Sequence, residues 1–393
     1  MRNSVNKEIK LLSLSFFFTF LGFSGVLQHI TTFFSSIGLV DLGFNCLVLI
    51  YLFFILANPI SAFFVSKYGA KKCMLISSIV YSLFNIFLLA KNVSMIYFGS
   101  VLLGIAASFI WTGQNSYLIR ASNKESFGIN SGFFNCFFSL GNAAGALIMG
   151  FIISFFSFKI SFLIFSIFPI IGFLLLVKIK NIKTEKETAE KINRFKLIKK
   201  AITSKTALKL SSLWFAINFI FGLIIGIIPL EIEKTLGLSY VGFLSSLFFI
   251  LPIFLSYYFG KLSDQKGRKK MIIFSFTLLI FGLIFLSFSS NSIFLILGII
   301  LLSLNWTITK PITFALVGDV STENNLEFLT ALFWMVQNTG VLIALILSQI
   351  FKIETFALYL VSITITFISL IILLPLLELG TEKIRNKISQ EVR

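Results

Sequence analysis

The chain has 393 residues, 57% of them apolar, with 12% charged, a formal net charge of +17 and 50 phenylalanines. A water-soluble chain carries about twice that share of charge, and no Gly-X-Y period, long polar tract or Cys-dense framework is present. These figures exclude soluble globular, collagenous, disordered and disulfide-stapled classes, and leave an all-α integral membrane protein whose apolar exterior faces lipid.

Met1 to Lys10 is a short basic stretch before a long apolar segment, with no small-residue cleavage site. It reads as the lead-in to a first spanning helix, not as a removed signal. Twelve segments are long enough to cross a bilayer: 11–37, 42–66, 73–90, 94–119, 127–155, 158–177, 210–230, 239–260, 271–289, 292–317, 328–351 and 353–377. They are continuously apolar, which predicts helices and not a barrel. A hydrophilic break at 178–209 holds eleven Lys/Arg and three Glu. It divides the chain into an N-terminal six-helix bundle (1–177), a basic linker (178–209), a C-terminal six-helix bundle (210–378) and a tail (379–393). Ile192, Phe195 and Ile198 stand at loose helical spacing, so the linker is either an amphipathic surface helix or a solvated connection.

Orientation follows from Lys and Arg. With the N-terminus inside, only Lys91, Lys159, Lys234 and Lys352 of the 33 basic residues fall outside. Both termini are therefore expected in the cytoplasm, in a cell membrane. The basic loops suit anionic membrane lipids and account for the net charge without a nucleic-acid partner. Cys46, Cys73 and Cys136 sit in apolar stretches without metal-ligand spacing and read as small buried hydrophobes.

The halves resemble each other. Trp111-Thr112 in the fourth span matches Trp306-Thr307 in the tenth. Ser139-Leu140-Gly141-Asn142 in the fifth matches Gln337-Asn338-Thr339-Gly340 in the eleventh, and Gly69-Ala70-Lys71-Lys72 matches Gly267-Arg268-Lys269-Lys270. Pro59 of the second span corresponds to Pro252 of the eighth. In order, these matches indicate duplication of a six-helix unit.

Gly260-Lys261-Leu262-Ser263-Asp264-Gln265-Lys266-Gly267-Arg268-Lys269-Lys270 resembles the G-x-L-x-D-x-x-G-R-K-K loop signature of the major facilitator superfamily. The loop after the second span departs from it, with Ala62, Ser66 and Ala70 where Gly, Asp and Arg are expected. Leu103 to Leu118, with its Trp111-Thr112-Gly113-Gln114 core, is similar to the fourth-helix signature of the uncoordinated-ninety-three-like (Unc) branch, which usually has Gly where this chain has Asn115. Leu332 to Gly340 also looks like that branch. The resemblance implies a major facilitator fold, twelve helices as two six-helix pseudo-repeats around a central cavity. Relatives in the Unc branch include a potassium-channel regulatory subunit and a trafficking partner of innate-immune receptors.

Lys310 is the one formal charge well away from a helix end, about two turns or 10 Å from the inner end of the tenth span. It reads either as a cavity cation attracting an anionic group or as a lysine snorkelling to the headgroups. Asn305, Trp306, Thr309 and Thr313 are placed on its face, and Pro311 follows it. His29 joins Gln28 on a stripe with Gly22, Gly25, Thr32 and Ser36. It is read as a solute and proton contact or as a neutral histidine bonded to a neighbouring helix. Trp111, Gln114 and Asn115 in the fourth span, Asn135 in the fifth, Asn218 in the seventh and Gln337 and Asn338 in the eleventh complete the expected solute contacts. Each amide serves equally as glue between helices. No Asp or Glu lies mid-membrane, so carboxylate-based proton coupling is not expected.

In the loop signature, Gly260 permits a tight helix crossing, Asp264 faces the positive N-terminus of the fifth helix near Ser126–Gly128, and Arg268 pairs with Asp319. Together with Gly267 these form the expected gate. Gly141 and Gly145 form a small-residue packing motif. The sequence offers no nucleophile–base pair, metal cluster or phosphate loop, and implies no enzyme, metal or cofactor. The expected function is a secondary transporter of a small organic, anionic solute working by alternating access. The alternative is a non-transporting regulatory or trafficking partner of another membrane protein.

Overall fold

The computed structural model describes residues 5–182, 194–237, 240–349 and 354–392. Among these the structure is helical, and twelve helices are long and apolar enough to cross a membrane. The first half holds α1 (Lys7–Ser36), α2 (Val40–Tyr68), α3 (Ala70–Phe87), α4 (Val93–Arg120), α5 (Phe127–Phe155) and α6 (Phe158–Phe165, continuing as Ile167–Lys178). The second holds α7 (Lys205–Gly226), α8 (Val241–Lys266), α9 (Arg268–Leu286), α10 (Ser292–Val320), α11 (Leu326–Gln349) and α12 (Thr355–Leu379). The chain is a multi-pass integral membrane protein. Twelve antiparallel crossings place both ends on one side, called here the terminus-bearing side.

The duplication is visible in local geometry. Asn92 caps α4 by accepting from the Ser94 amide, and Asn291 caps α10 by accepting from the Ile293 amide. Gly69 and Gly267 both stop one helix and start the next at φ 91° and 88°. That left-handed backbone is open to glycine at little cost, so both survive even though the loop around Gly69 has lost its acidic and basic partners.

Among the described residues, three shorter helices lie outside the spans. Arg194–Thr203 precedes α7, Ile228–Leu236 follows it, and Thr381–Val392 follows α12. In the linker, Ile192 lies outside the described residues, as do the side chains of Phe195 and Ile198. The last helix buries Ile384, Ile388 and Val392, one face at steps of four. It packs against the Arg194–Thr203 helix, α7 and α10.

The halves meet where α5 packs on α8 and α2 on α11. On the α5–α8 seam, a Cβ on Gly260 would collide with the Gly128 carbonyl, and one on Gly132 with the Ser256 carbonyl. Backbone contact this close holds the two bundles together on the terminus-bearing side.

Candidate functional site

A cavity of about 120 Å³ lies between the halves. A single water needs about 10–15 Å³ on this measure, so the space holds several waters or one small ligand. Its wall is mostly aromatic. Trp111 of α4 and Trp334 of α11 stand 5.3 Å apart, and Phe314 of α10 is 5.7 Å from Trp334. This trio joins the halves and floors the cavity on the terminus-bearing side. The cavity extends the other way, past Tyr51, Phe221 and Val341.

Lys310 reaches into it from α10. Its Nζ donates to Asn218 Oδ1 at 3.3 Å and to Gln337 Oε1 at 3.2 Å. It also lies 4.1 Å from the centre of the Trp306 ring, a cation–π contact. Trp306 is itself stacked on Phe221. Among the described residues no carboxylate pairs with Lys310. The side chain is 5% exposed, so snorkelling is overturned. The depth estimate changes too: α10 continues to Val320, putting Lys310 ten residues, about 15 Å, from that end.

The terminus-bearing side is shut by charge. Asp264 accepts from the amides of Gly128 (2.9 Å) and Ile129 (2.8 Å) at the first turn of α5. Those amides have no intrahelical acceptor, and a carboxylate there also meets the positive end of the helix. Arg268 donates to Asp264 at 2.7 Å, to Asp319 at 2.8 Å and to the Ser263 hydroxyl at 2.6 Å. A second latch lies across the α4–α11 seam. Arg120 pairs with Glu327 and donates to the Glu323 carbonyl at 3.3 Å. Arg120 carries no signal in the sequence, because a basic residue at that end of a span is ordinary.

Of the expected solute contacts, Trp111, Asn218, Lys310, Gln337 and Asn338 line the cavity. Six do not. Gln28 donates to Ser24, and His29 bonds the Gly25 carbonyl through Nδ1 at 2.8 Å. Their Gly22–Gly25 stripe is a packing face: a Cβ on Gly25 would strike Phe165 of α6 and the Gly145 carbonyl of α5. The cavity instead takes Phe20, Phe23 and Leu27 from α1. Asn305, five residues from Lys310, stands about 140° round the helix from it and donates to the Ser275 carbonyl of α9. The shared face read for Asn305 and Lys310 is thereby corrected. Asn135 donates to Ser256 Oγ across the α5–α8 seam at 2.8 Å. Gln114 and Asn115 lie one turn beyond Trp111 on the closed side, buried, with both amides unpartnered.

Asn142, Tyr51 and Tyr81 also line the cavity, and the expected contacts omit them. Asn142 belongs to the stretch matched above to Gln337–Gly340. The two tyrosines carry no signal inside an aromatic-rich span.

A family model described as Major Facilitator Superfamily matches residues 11–240 and 210–392. The chain is 31% identical over 130 residues to UNC93-like protein MFSD11 of Xenopus tropicalis, covering 32% of this chain and 29% of that protein. It is 30% identical over 119 residues to the proposed potassium channel regulatory protein unc-93 of Caenorhabditis elegans, covering 30% of this chain and 16% of the relative. The matched stretches thus span less than a third of these relatives. In structure, 94% of this chain and 94% of the proton:xylose symporter XylE, bound to 6-bromo-6-deoxy-D-glucose, superpose with a TM-score of 0.76 at 11% identity. That likeness concerns the fold alone.

Proposed function

The chain belongs to the Major Facilitator Superfamily and resembles its UNC93-like branch, and from this we propose that it is a secondary transporter of a small anionic organic solute. The solute occupies the central cavity, and the two halves rock about it, with both termini in the cytoplasm of a cell membrane. The observation that carries this reading is Lys310, an ammonium at mid-span whose partners are two neutral amide oxygens and an indole face. An intramembrane charge is costly, and a bound anion supplies the compensation that these neutral partners do not. Two features support alternating access. Charge and glycine contacts shut one side while the cavity extends toward the other. Gln114 and Asn115 wait without partners behind the aromatic floor, where opening of that side would hydrate them.

The test is ligand-dependent thermal stability against a metabolite library, wild type beside Lys310→Ala, followed by uptake into liposomes. A ligand of the folded state raises apparent stability with concentration. The reading expects anionic hits that the variant loses, then uptake of the same solute. A second reading, a non-transporting partner of another membrane protein, draws on the degenerate loop after α2 and on the relative named for potassium channel regulation. Hits without uptake would favour it.

A further inference from the structure

We propose that the cavity selects a monocarboxylate carried on a single aromatic ring. The proposal rests on the cavity's being the solute site, and four observations carry it.

Size comes first. The cavity measures about 120 Å³, and an engineered apolar cavity of about 150 Å³ holds benzene. One ring is therefore the scale of ligand the space suits, and a short acidic substituent asks for a modest widening. The second observation is the wall. Rings of Phe20, Trp111, Phe138, Phe221, Trp306 and Trp334 all border the space. Trp111 meets Phe20 and Phe138 at 5.2 Å each, and Trp306 lies 4.7 Å from Phe221. Such walls take the face or edge of another ring at comparable separations.

Charge is the third. Among the described residues the wall contains Lys310 and no Asp or Glu, so a cationic ligand would add repulsion and meet no carboxylate. The fourth is a surplus of donors. The indole N–H groups of Trp306 and Trp334 are buried without acceptors, and their rings flank the Lys310 ammonium at 4.1 and 5.8 Å. The ammonium lacks a carboxylate, and the two indoles around it carry N–H groups with no acceptor, which lie in their ring planes, buried away from the open space, and reach a ligand when a ring turns. A ligand carboxylate, an acceptor with two oxygens and one negative charge, meets that excess.

The experiment uses the purified full chain. Apparent melting temperature is followed against benzoate, phenylacetate, acetate, benzylamine, benzyl alcohol and glucose, in wild type, Lys310→Gln and Trp306→Leu. Benzoate or phenylacetate is expected to raise it with concentration, with apparent affinity at least about tenfold above acetate and benzyl alcohol. Lys310→Gln is expected to abolish that preference for the acid over the alcohol. Trp306→Leu is expected to weaken both aromatic acids more than it weakens acetate. If either variant fails to fold, competition among the six probes on wild type alone decides. A stronger effect from benzylamine, benzyl alcohol or glucose, equality of benzoate and acetate, or no effect from any acid overturns the proposal. Uptake into proteoliposomes separates the two readings. Aromatic acids that bind but are not taken up leave this assignment standing and sink the transporter. Uptake driven only for glucose or benzylamine keeps the transporter and sinks this assignment.

Discussion

Arg120 at the end of α4 forms a buried ion pair with Glu327 in the first turn of α11, and the pair ties one six-helix half to the other. It sits on the seam where the loop after α2 has Ser66 and Ala70 in place of the acidic and basic members of the signature. The opposite seam keeps those members as Asp264 and Arg268. Each seam therefore carries a carboxylate–guanidinium contact at the first turn of a helix from the other half, reached by different residues.

Removing one partner of a pair this buried leaves an uncompensated charge, at a cost on the order of 3 kcal/mol. That cost falls on the state with the terminus-bearing side shut. Glu327→Gln is expected to shift the protein toward the opposite opening. Labelling of a Leu27→Cys reporter in the cavity from the far side should slow. The double reversal Arg120→Glu with Glu327→Arg should recover part of the rate. An unchanged rate in Glu327→Gln would remove the latch role.

The α5–α8 seam yields to sterics as well as charge. Gly260→Ala adds a methyl that meets the Gly128 carbonyl, a backbone atom that cannot rotate away. Closure is then blocked without any change of charge. The same reporter is expected to slow in Gly260→Ala, and to slow in Asp264→Asn through loss of the acceptor for Gly128 and Ile129. Salt distinguishes the two causes: by screening the wild-type contact, added salt should narrow the difference between wild type and Asp264→Asn and leave the difference made by Gly260→Ala unchanged.

Lys310 makes an unusual stability prediction. Substituting a well-partnered buried charge destabilises, whereas replacing a poorly compensated one with an apolar side chain of similar length is often neutral or favourable. Lys310→Met is therefore expected to melt at or above the wild-type temperature when no ligand is present, while losing stabilisation by anions. A drop of more than about 2 kcal/mol in unfolding free energy would mean that the amide and indole partners compensate the charge fully.

The terminal helix supplies a pH dependence. Glu391 accepts from the Ser204 hydroxyl and from the amide and hydroxyl of Thr206, capping α7. Burial works to raise its carboxyl, but these hydrogen bonds outweigh it and hold the group below the ordinary glutamate value. A depressed value means that the stabilisation is present in full above the unfolded value, about 4.3, and is lost as pH falls through the lower folded one. Amide-exchange protection over 381–392, corrected for intrinsic rates, should hold at neutral pH and fall below about pH 4. Glu391→Gln should show the weakened protection at every pH.

The fold was legible because lipid leaves a continuously apolar span one option, a helix with its backbone bonded internally. The seam at Asp264 was legible because the resemblance to the loop signature singled out that acid, and a carboxylate there suits the positive N-terminus of a helix from the other half. The cavity was only half legible. Gln337 and Asn305 are both amides inside apolar spans, and one binds Lys310 while the other binds Ser275. What separates them is the rotation of each helix about its own axis, which is fixed by close packing such as Gly22 and Gly25 on α6 and α5. A polar stripe on a spanning helix reports that some partner exists, and the packing decides whether that partner is another helix or a solute.

Two prolines of the second half, Pro252 and Pro311, show the same point at atomic scale. Pro252 lacks an N–H, so the Phe248 carbonyl one turn earlier has no helical donor. The Ser303 hydroxyl of α10 donates to it at 2.8 Å. Pro311 likewise strips the Thr307 carbonyl, and the Ser256 hydroxyl of α8 approaches it at 3.5 Å. Ser256 in turn accepts from Asn135 of the other half. The two helices thus repair each other, as a bundle in lipid must when a spanning helix is broken. Ser303→Ala should cost about 1–3 kcal/mol, the penalty of an orphaned buried acceptor. The same substitution in a Pro252→Ala background should cost much less, because that background restores a backbone N–H donor to the Phe248 carbonyl. A double-mutant cycle in thermal unfolding measures the coupling. Equal costs in both backgrounds would show that Ser303 acts by packing alone, and that the carbonyl left by Pro252 finds its partner elsewhere.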